Sequence, residues 1–172
     1  MRWMWIDRIV ELAERERLVA IKNVSLAEEH LHEHFPADET RGLGAMPVMP
    51  ASLVIEGMAQ AAGILVGHAN GFREKVVLAK VNRAEIAKDP VPGTTLRHTA
   101  TLTRIDETGA ATEGTVELLN PATGAAETIG AIDLMFSHLD SNRAGVEFPE
   151  HNFVFSDAFR TLLETSGIEA AF

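Results

Sequence analysis

The fold is decided by residues 50–69, which read PASLVIEGMAQAAGILVGHA. Pro50 suits the start of a helix, because the N–H that proline lacks would be unpaired there in any case. The residues that follow are apolar almost all round, apart from a polar stripe of Ser52, Glu56 and Gln60 at four-residue spacing. A helix of this kind is normally enclosed by other protein. The stretch therefore predicts a buried helix over Ala51–His68.

The segments on either side of this helix have the pattern of β-strands. After it, β-rich or alternating runs are separated by the turn-prone sequences DPVPG, DETG and NPATG, at residues 89–93, 106–109 and 120–124. These runs predict an antiparallel meander of four strands over Val76–Ile86, Thr94–Ile105, Thr112–Leu119 and Glu127–Leu139. Before the helix, Ile6–Leu12 and Leu18–Val24 fit two more strands, or a helix because Glu and Arg are abundant there. A buried helix wrapped by an antiparallel sheet is an α+β architecture.

Composition excludes several classes of function. The 172 residues have the size of one domain, and the lack of cysteine excludes disulfides and thiolate metal sites. The formal net charge is −10, so nucleic acids and anionic membranes are not expected as partners. The first residues, MRWMWIDRIVEL, carry Asp7, Arg8 and Glu11, so they do not read as a signal peptide. The apolar stretch Met46–Ala69 contains two prolines and Glu56, so we expect a core helix rather than a membrane span, and a cytoplasmic protein.

Glu56 is the most informative single residue. It is the only carboxylate between Glu39 and Glu74, and its neighbours on the predicted helix are apolar. Burial of an isolated carboxylate is costly, so this group must be paired, partly solvated or protonated. Glu56 is therefore either a functional acid or base in a cleft or a structural carboxylate. A structural carboxylate would have its hydrogen bonds satisfied in the core or would face solvent at the edge of the helix.

Three histidines alternate in HLHEH, residues 30–34. On a strand His30, His32 and His34 would share one face and could bind a metal ion, whereas on a helix they would not converge. We expect no metal site. His34 differs from the others because Phe35-Pro36 follow it, and the residue before a proline is extended and ends a helix. The sequence contains no GxSxG, P-loop or GxGxxG motif.

Several short motifs occur together and in order. HFP at residues 34–36 is followed by PVMPA at 47–51 and EGMAQ at 56–60. The combination resembles the 3-hydroxyacyl-acyl-carrier-protein dehydratases of bacterial fatty-acid synthesis, and the resemblance covers residues 6–138. It implies a hot-dog fold, in which a curved antiparallel sheet wraps a long central helix. It also implies a homodimer, an assembly that in this family often forms trimers of dimers.

The resemblance divides the chain into two parts. Residues 1–140 would form the hot-dog dehydratase-like domain, and residues 141–172 a C-terminal extension. In the extension, Ser156 can cap a short helix over Asp157–Ser166 that is ended by Gly167.

The resemblance also assigns roles to residues. One active site would take His34 from one chain and Glu56 from its partner. A neutral imidazole can remove the α-proton of a 3-hydroxyacyl thioester, and a protonated Glu56 can donate a proton to the leaving hydroxyl. Backbone N–H groups at the start of the helix can polarise the thioester carbonyl, and no cofactor is expected. Substrate-binding positions are expected at Phe35, Pro50, Ala51 and Gln60.

The sequence departs from the family pattern in two places. The link Ala37–Met46 is longer than in typical members and is expected to reshape the cleft entrance. Ala51 stands where the family has glycine, and it would be strained if the site required a positive φ.

The charge is distributed unevenly. Residues 51–100 carry six Lys or Arg against four Asp or Glu, in a chain of net charge −10. A solvated strand face is the commoner meaning of such a run, but Arg73, Lys75 and Arg83 could dock the acidic acyl carrier protein.

The expected function is dehydration of 3-hydroxyacyl-acyl-carrier-protein thioesters to trans-2-enoyl thioesters in fatty-acid biosynthesis. Two alternatives remain open. One is a hot-dog acyl-thioester hydrolase, which does not need the HFP motif. The other is a non-catalytic acyl-binding subunit.

Overall fold

Six strands and one long helix dominate the computed structural model, which describes residues 3–33, 36–139, 152 and 154–169. Two short helices and a 3₁₀ turn at Glu39–Arg41 complete the described elements. In chain order the strands and helices are β1 (Arg8–Ala13), β2 (Arg17–Asn23), α1 (Glu29–Glu33), α2 (Ala51–Ala69), β3 (Lys75–Ile86), β4 (Thr95–Asp106), β5 (Gly109–Asn120), β6 (Ala125–Leu139) and α3 (Asp157–Thr165).

All six strands form one antiparallel sheet in the order β1-β2-β4-β5-β6-β3. The two N-terminal segments are therefore strands and not a helix. The predicted four-strand meander is wrong in one respect, because β3 pairs with β6, with Val76 opposite His138, and not with β4. The edge of β4 that faces away from β5 is occupied by β2, where Ala20 lies opposite His98. This leaves β3 at one edge of the sheet.

Helix α2 lies against five of the strands, β2 to β6, so that the sheet wraps it. The predicted α+β class and hot-dog fold are confirmed. By length and composition α2 could cross a membrane, but 56% of its most apolar window is buried inside the protein. The helix ends in a turn where Gly71 and Phe72 both have positive φ and the Phe72 N–H donates to the Gly67 carbonyl at 2.7 Å.

The sheet approaches α2 most closely at Gly57. A Cβ atom at this position would lie 2.8 Å from the Trp5 carbonyl oxygen and 2.9 Å from Nε2 of His98 on β4. His98 is completely buried, and burial lowers its pKa from 6.5 to about 4. Glycine at position 57 therefore lets the helix backbone rest directly on the sheet and on the N-terminal segment.

The C-terminal residues pack onto the same core. Leu163 of α3 is fully buried, and the Ser166 hydroxyl accepts a hydrogen bond from the Ile9 N–H of β1 at 3.0 Å. The Asn152 side chain donates to the carbonyls of Phe72 and Glu74 at 3.0 and 3.1 Å. Ser156 lies at the N-cap of α3, as expected, but its hydroxyl makes no capping hydrogen bond. The division of the chain at residue 140 stays a prediction.

Candidate active site

Glu56 opens onto a cavity of about 630 Å³. The residue lies one turn and a half into α2 and is partly exposed. The α2 wall of the cavity is completed by Ala59, Gln60 and Gly63, which lie on the same helix face as Glu56. Apolar side chains line most of the rest, including Phe136 of β6. The carboxylate thus sits at an apolar cleft that solvent can enter, and not within the closed core.

Gln60 holds this carboxylate in place. Its amide nitrogen donates to Glu56 Oε1 at 3.0 Å and to the Trp3 carbonyl at 3.0 Å. Its amide oxygen accepts from the Trp5 N–H at 2.8 Å. Both amide hydrogens are used and the side chain is buried, with 6% of Gln60 exposed. The geometry therefore favours a positioning role for Gln60 over direct binding of a substrate.

The start of α2 lies five residues before Glu56. Pro50 is the N-cap and Ala51 the first helical residue, and neither lines the cavity. Ala51 does not have a positive φ, so the backbone strain considered for it does not arise. Among the described residues, the non-glycine residues with positive φ are Arg15 and Phe72. The Leu53 and Val54 N–H groups donate to the Pro50 carbonyl at 2.9 and 3.3 Å. The N–H groups of Ala51 and Ser52 have no acceptor among the described residues, and Pro50 offers them no capping side chain. These two N–H groups can donate hydrogen bonds to an anionic or carbonyl oxygen.

His34 and Phe35, two of the predicted site residues, lie outside the described residues. The chain just before them is helix α1, so His30 and His32 lie on a helix and not on the strand that the metal-site alternative requires. Among the residues described, no three His, Asp or Glu side chains are grouped to hold a metal ion. The His30 ring lies 5.0 Å from the Trp5 ring, which places α1 beside the segment that Gln60 holds.

The link Ala37–Met46 does not border the cavity. Asp38 accepts hydrogen bonds from the Thr40 and Arg41 backbone N–H groups and so closes this loop on itself. None of the described residues from 36 to 50 lines the cavity beside Glu56. The expectation that the link reshapes the cleft entrance has no support in this cavity.

The three predicted docking residues differ in exposure. Arg73 and Arg83 are exposed, whereas only 8% of Lys75 is accessible. Arg83 donates to Glu85 at 2.6 Å, and this pairing raises the pKa of Arg83 and lowers the pKa of Glu85. Lys75 can therefore contribute little to a docking surface, which is reduced to the two arginines.

Sequence reasoning missed a whole side of the cavity. Trp3 and Met4 line it, and so do residues of the C-terminal extension from Val154 to Phe159. The spacing of Phe155, Phe159, Leu162 and Leu163 predicts that α3 has an apolar face. The spacing does not predict that part of this apolar face borders a cavity, because the other walls of the cavity come from residues far away in sequence.

Comparisons with known proteins point to one family. Residues 2–117 match the model of the FabA-like domain. The 3-hydroxyacyl-acyl-carrier-protein dehydratase FabZ of Alkalilimnicola ehrlichii is 38% identical over 104 residues, which cover 58% of this chain and 62% of the relative. FabZ of Solibacter usitatus is 40% identical over 97 residues, which cover 55% of this chain and 54% of the relative. The chain thus spans less than two thirds of the length of either relative.

Solved structures share the fold at low sequence identity. The dehydratase heterocomplex ApeI:P from Xenorhabdus doucetiae gives a TM-score of 0.61 at 16% identity, covering 83% of this chain and 87% of the other. An acyl-CoA hydrolase from Staphylococcus aureus gives 0.56 at 14% identity, covering 88% and 82%. Both dehydratases and hydrolases therefore share this architecture.

The shared fold does not say to which family the chain belongs, but the match to the FabA-like domain does. This match begins at residue 2, includes α2 with Glu56 and Gln60, and extends into β5. Since it covers more than half of the 172 residues, the chain belongs to the family of FabA-like domains.

Proposed function

We propose that the protein dehydrates 3-hydroxyacyl thioesters, carried on acyl carrier protein, to trans-2-enoyl thioesters in fatty-acid biosynthesis. The observation that carries the proposal is the placement of Glu56 at an apolar cavity within a FabA-like domain. The names of the two FabZ relatives support the same reaction and the same carrier.

The reaction needs an acid, a base and a polarised carbonyl, and the chain offers one group for each. In the proposed mechanism His34 removes the α-proton of the substrate and Glu56 protonates the β-hydroxyl, which leaves as water. The free N–H groups of Ala51 and Ser52, at the start of α2, stabilise the negative charge that develops on the thioester oxygen. Gln60 fixes the Glu56 side chain and donates no hydrogen bond to substrate, because both of its amide hydrogens are already used. This elimination involves no change in oxidation state, and we propose no cofactor.

The proposed enzyme is a cytoplasmic homodimer that pairs His34 of one chain with Glu56 of the other. Arg73 and Arg83 form its docking surface for the acidic carrier protein. Charge complementarity of this kind acts mainly on encounter and orientation.

One assay distinguishes the proposed activity from its alternatives. The protein is incubated with crotonyl and 3-hydroxybutyryl pantetheine, and enoyl absorbance and free thiol are followed together. Interconversion of the two thioesters without thiol release is the expected result. Thiol release would indicate a hydrolase, and no change in either thioester would indicate a non-catalytic acyl-binding subunit. The Glu56→Gln variant serves as the background control.

A further inference from the structure

One face of α2 runs the length of the cavity and beyond it. Glu56, Gln60 and Gly63 line the cavity along this face, and Gly67 is the next residue on it. The Phe155 ring covers Gly67 so closely that a Cβ atom there would lie 2.5 Å from Phe155 Cζ. The cleft that begins at Glu56 is therefore closed along this face by an aromatic ring from the C-terminal extension.

This end wall is built into the fold. Only 5% of Phe155 is exposed. Its ring packs edge-on against the rings of Phe72 and Phe159, with distances of 5.0 and 5.8 Å between ring centroids. The two hydrogen bonds from Asn152 fix the turn that carries Phe72. Ala158 and Phe159, on the first turn of α3, also line the cavity. The family match ends at residue 117, so the wall is formed by a part of the chain outside it.

We propose that residues 154–159 set the longest acyl chain that the site accepts. The inference rests on the proposed function, in which an acyl chain extends from the reacting carbons beside Glu56. Gly67 lies eleven positions after Glu56 on α2, which corresponds to an advance of about 16 Å along the helix axis. An extended chain advances about 1.2 Å per bond. After about 4 Å is allowed for contact with the Phe155 ring, the space holds about ten bonds. A medium-length acyl chain fits, and a palmitoyl-length chain does not.

The test compares trans-2-enoyl pantetheines of three lengths, namely crotonyl, decenoyl and hexadecenoyl. For the unaltered protein, kcat/KM for decenoyl exceeds that for hexadecenoyl by about tenfold or more. Phe155→Ala removes the end wall and brings this ratio close to one. Ala158→Phe adds a ring at the cavity and lowers kcat/KM for decenoyl about tenfold relative to that for crotonyl. Because Ala158→Phe changes a partly exposed helix position, it decides the question even if Phe155→Ala does not fold.

Leu162→Ala is the matched control. Leu162 lies on α3, as Ala158 does, is buried to nearly the same degree as Phe155 and does not line the cavity. This variant loses buried apolar surface as Phe155→Ala does, but it keeps the chain-length ratio of the unaltered protein.

Binding of saturated thioesters separates this inference from the proposed function. Decanoyl and palmitoyl pantetheine cannot be hydrated, so calorimetry with them reports the length of the cleft alone. If crotonyl pantetheine is hydrated but neither Phe155→Ala nor Ala158→Phe alters the chain-length ratios, the inference is overturned and the dehydratase stands. Equal turnover of decenoyl and hexadecenoyl by the unaltered protein overturns it as well. If no thioester is hydrated but decanoyl binds better than palmitoyl only while Phe155 is present, the inference stands and the dehydratase fails.

Discussion

At the scale of single residues, Glu56 and Gln60 behave as one unit. One buried amide holds the carboxylate and, at the same time, the backbone of Trp3 and Trp5. Helical spacing alone predicts that residues 56 and 60 are neighbours. It does not predict the two tryptophans, which are 57 and 55 residues away along the chain. The candidate carboxylate Glu56 could thus be found by sequence reasoning, but the contacts that fix it through Gln60 could not.

Glu56→Gln should abolish dehydration while leaving the fold intact. The amide oxygen of glutamine can still accept the hydrogen bond from Gln60, whereas glutamine cannot donate the proton that the leaving hydroxyl needs. We expect kcat to fall by at least about 10²-fold with little change in the melting temperature. Crotonyl hydration and thermal unfolding measure the two effects. Near-native turnover would remove Glu56 from the mechanism, and failure to fold would make it a structural residue.

His98 should make stability depend on pH. Neither ring nitrogen has a hydrogen-bond partner among the described residues, and burial lowers the pKa from 6.5 to about 4. At neutral pH the ring is neutral in the folded and the unfolded chain. As the pH falls below 6.5, His98 becomes protonated in the unfolded chain, whereas in the folded protein it stays neutral down to about pH 4. Proton binding therefore stabilises the unfolded chain, and the free energy of unfolding decreases between these two pH values. The slope attributable to His98 is at most about 1.4 kcal/mol per pH unit.

Urea unfolding of the unaltered protein and of His98→Leu, at several pH values within that window, measures this contribution. Leucine does not titrate, so the variant should lose stability less steeply as the pH falls. Parallel curves for the two proteins would show that His98 does not carry the dependence, whatever the absolute stability of the variant.

At the scale of elements, the helix was more predictable than the order of the sheet. An apolar pattern all round a segment with no internal turn signal leaves few alternatives to a buried helix. The strands were predictable one at a time, because alternation and turns are local signals. Their order was not, since nothing in the sequence of β3 says that it will pair with β6 while β2 takes the edge of β4. Helix α1, with five residues, is too short to give a periodic signal.

The contact of α2 with the sheet can be tested at Gly57. Gly57→Ala would normally favour a helix, but here the added methyl group meets the Trp5 carbonyl and the His98 ring. We expect a loss of about 1–3 kcal/mol in the free energy of unfolding. Gly63→Ala is the control on the same helix, because its Cβ would lie 3.7 Å from Phe136, an ordinary contact. That variant should be neutral or gain up to about 1 kcal/mol. Equal effects in chemical denaturation would contradict the close approach at Gly57.

At the scale of the whole molecule, docking and assembly yield one prediction each. Arg73→Glu and Arg83→Glu should raise KM for carrier-bound substrate and leave KM for a pantetheine thioester unchanged. Arg104→Glu is the control for Arg83→Glu, because each of these exposed arginines pairs with an acidic residue two positions later. Steady-state kinetics at two salt concentrations is the measurement, since screening should weaken only docking. Equal effects on both substrates, or an equal effect of Arg104→Glu, would argue against the docking surface.

The shared active site predicts complementation between inactive variants. His34→Ala and Glu56→Ala dimers each lack one half of every site. In a mixed dimer one site is doubly mutated, and the other regains an intact His34 and an intact Glu56. Random reassortment makes half of the dimers mixed, so about a quarter of all sites should be active. The two proteins are unfolded together and refolded, subunit exchange is verified by mass spectrometry, and turnover is measured. No recovery of activity after exchange would place both residues in the same chain.

The hydrogen bonds of Gln60 hold the backbone of Trp3 and Trp5 beside the cavity, where tryptophan fluorescence can report on ligand binding. Trp3 and Trp5 are the protein's only tryptophans, and it contains no tyrosine. Trp3 borders the cavity with 58% of its surface exposed, and Trp5 lies beneath it at a ring distance of 5.3 Å. All of the intrinsic tryptophan emission therefore originates at Trp3, which lines the cleft, and at Trp5, whose ring contacts that of Trp3. An acyl chain that displaces water from Trp3 should shift this emission to shorter wavelength, so occupancy can be titrated in the unlabelled protein.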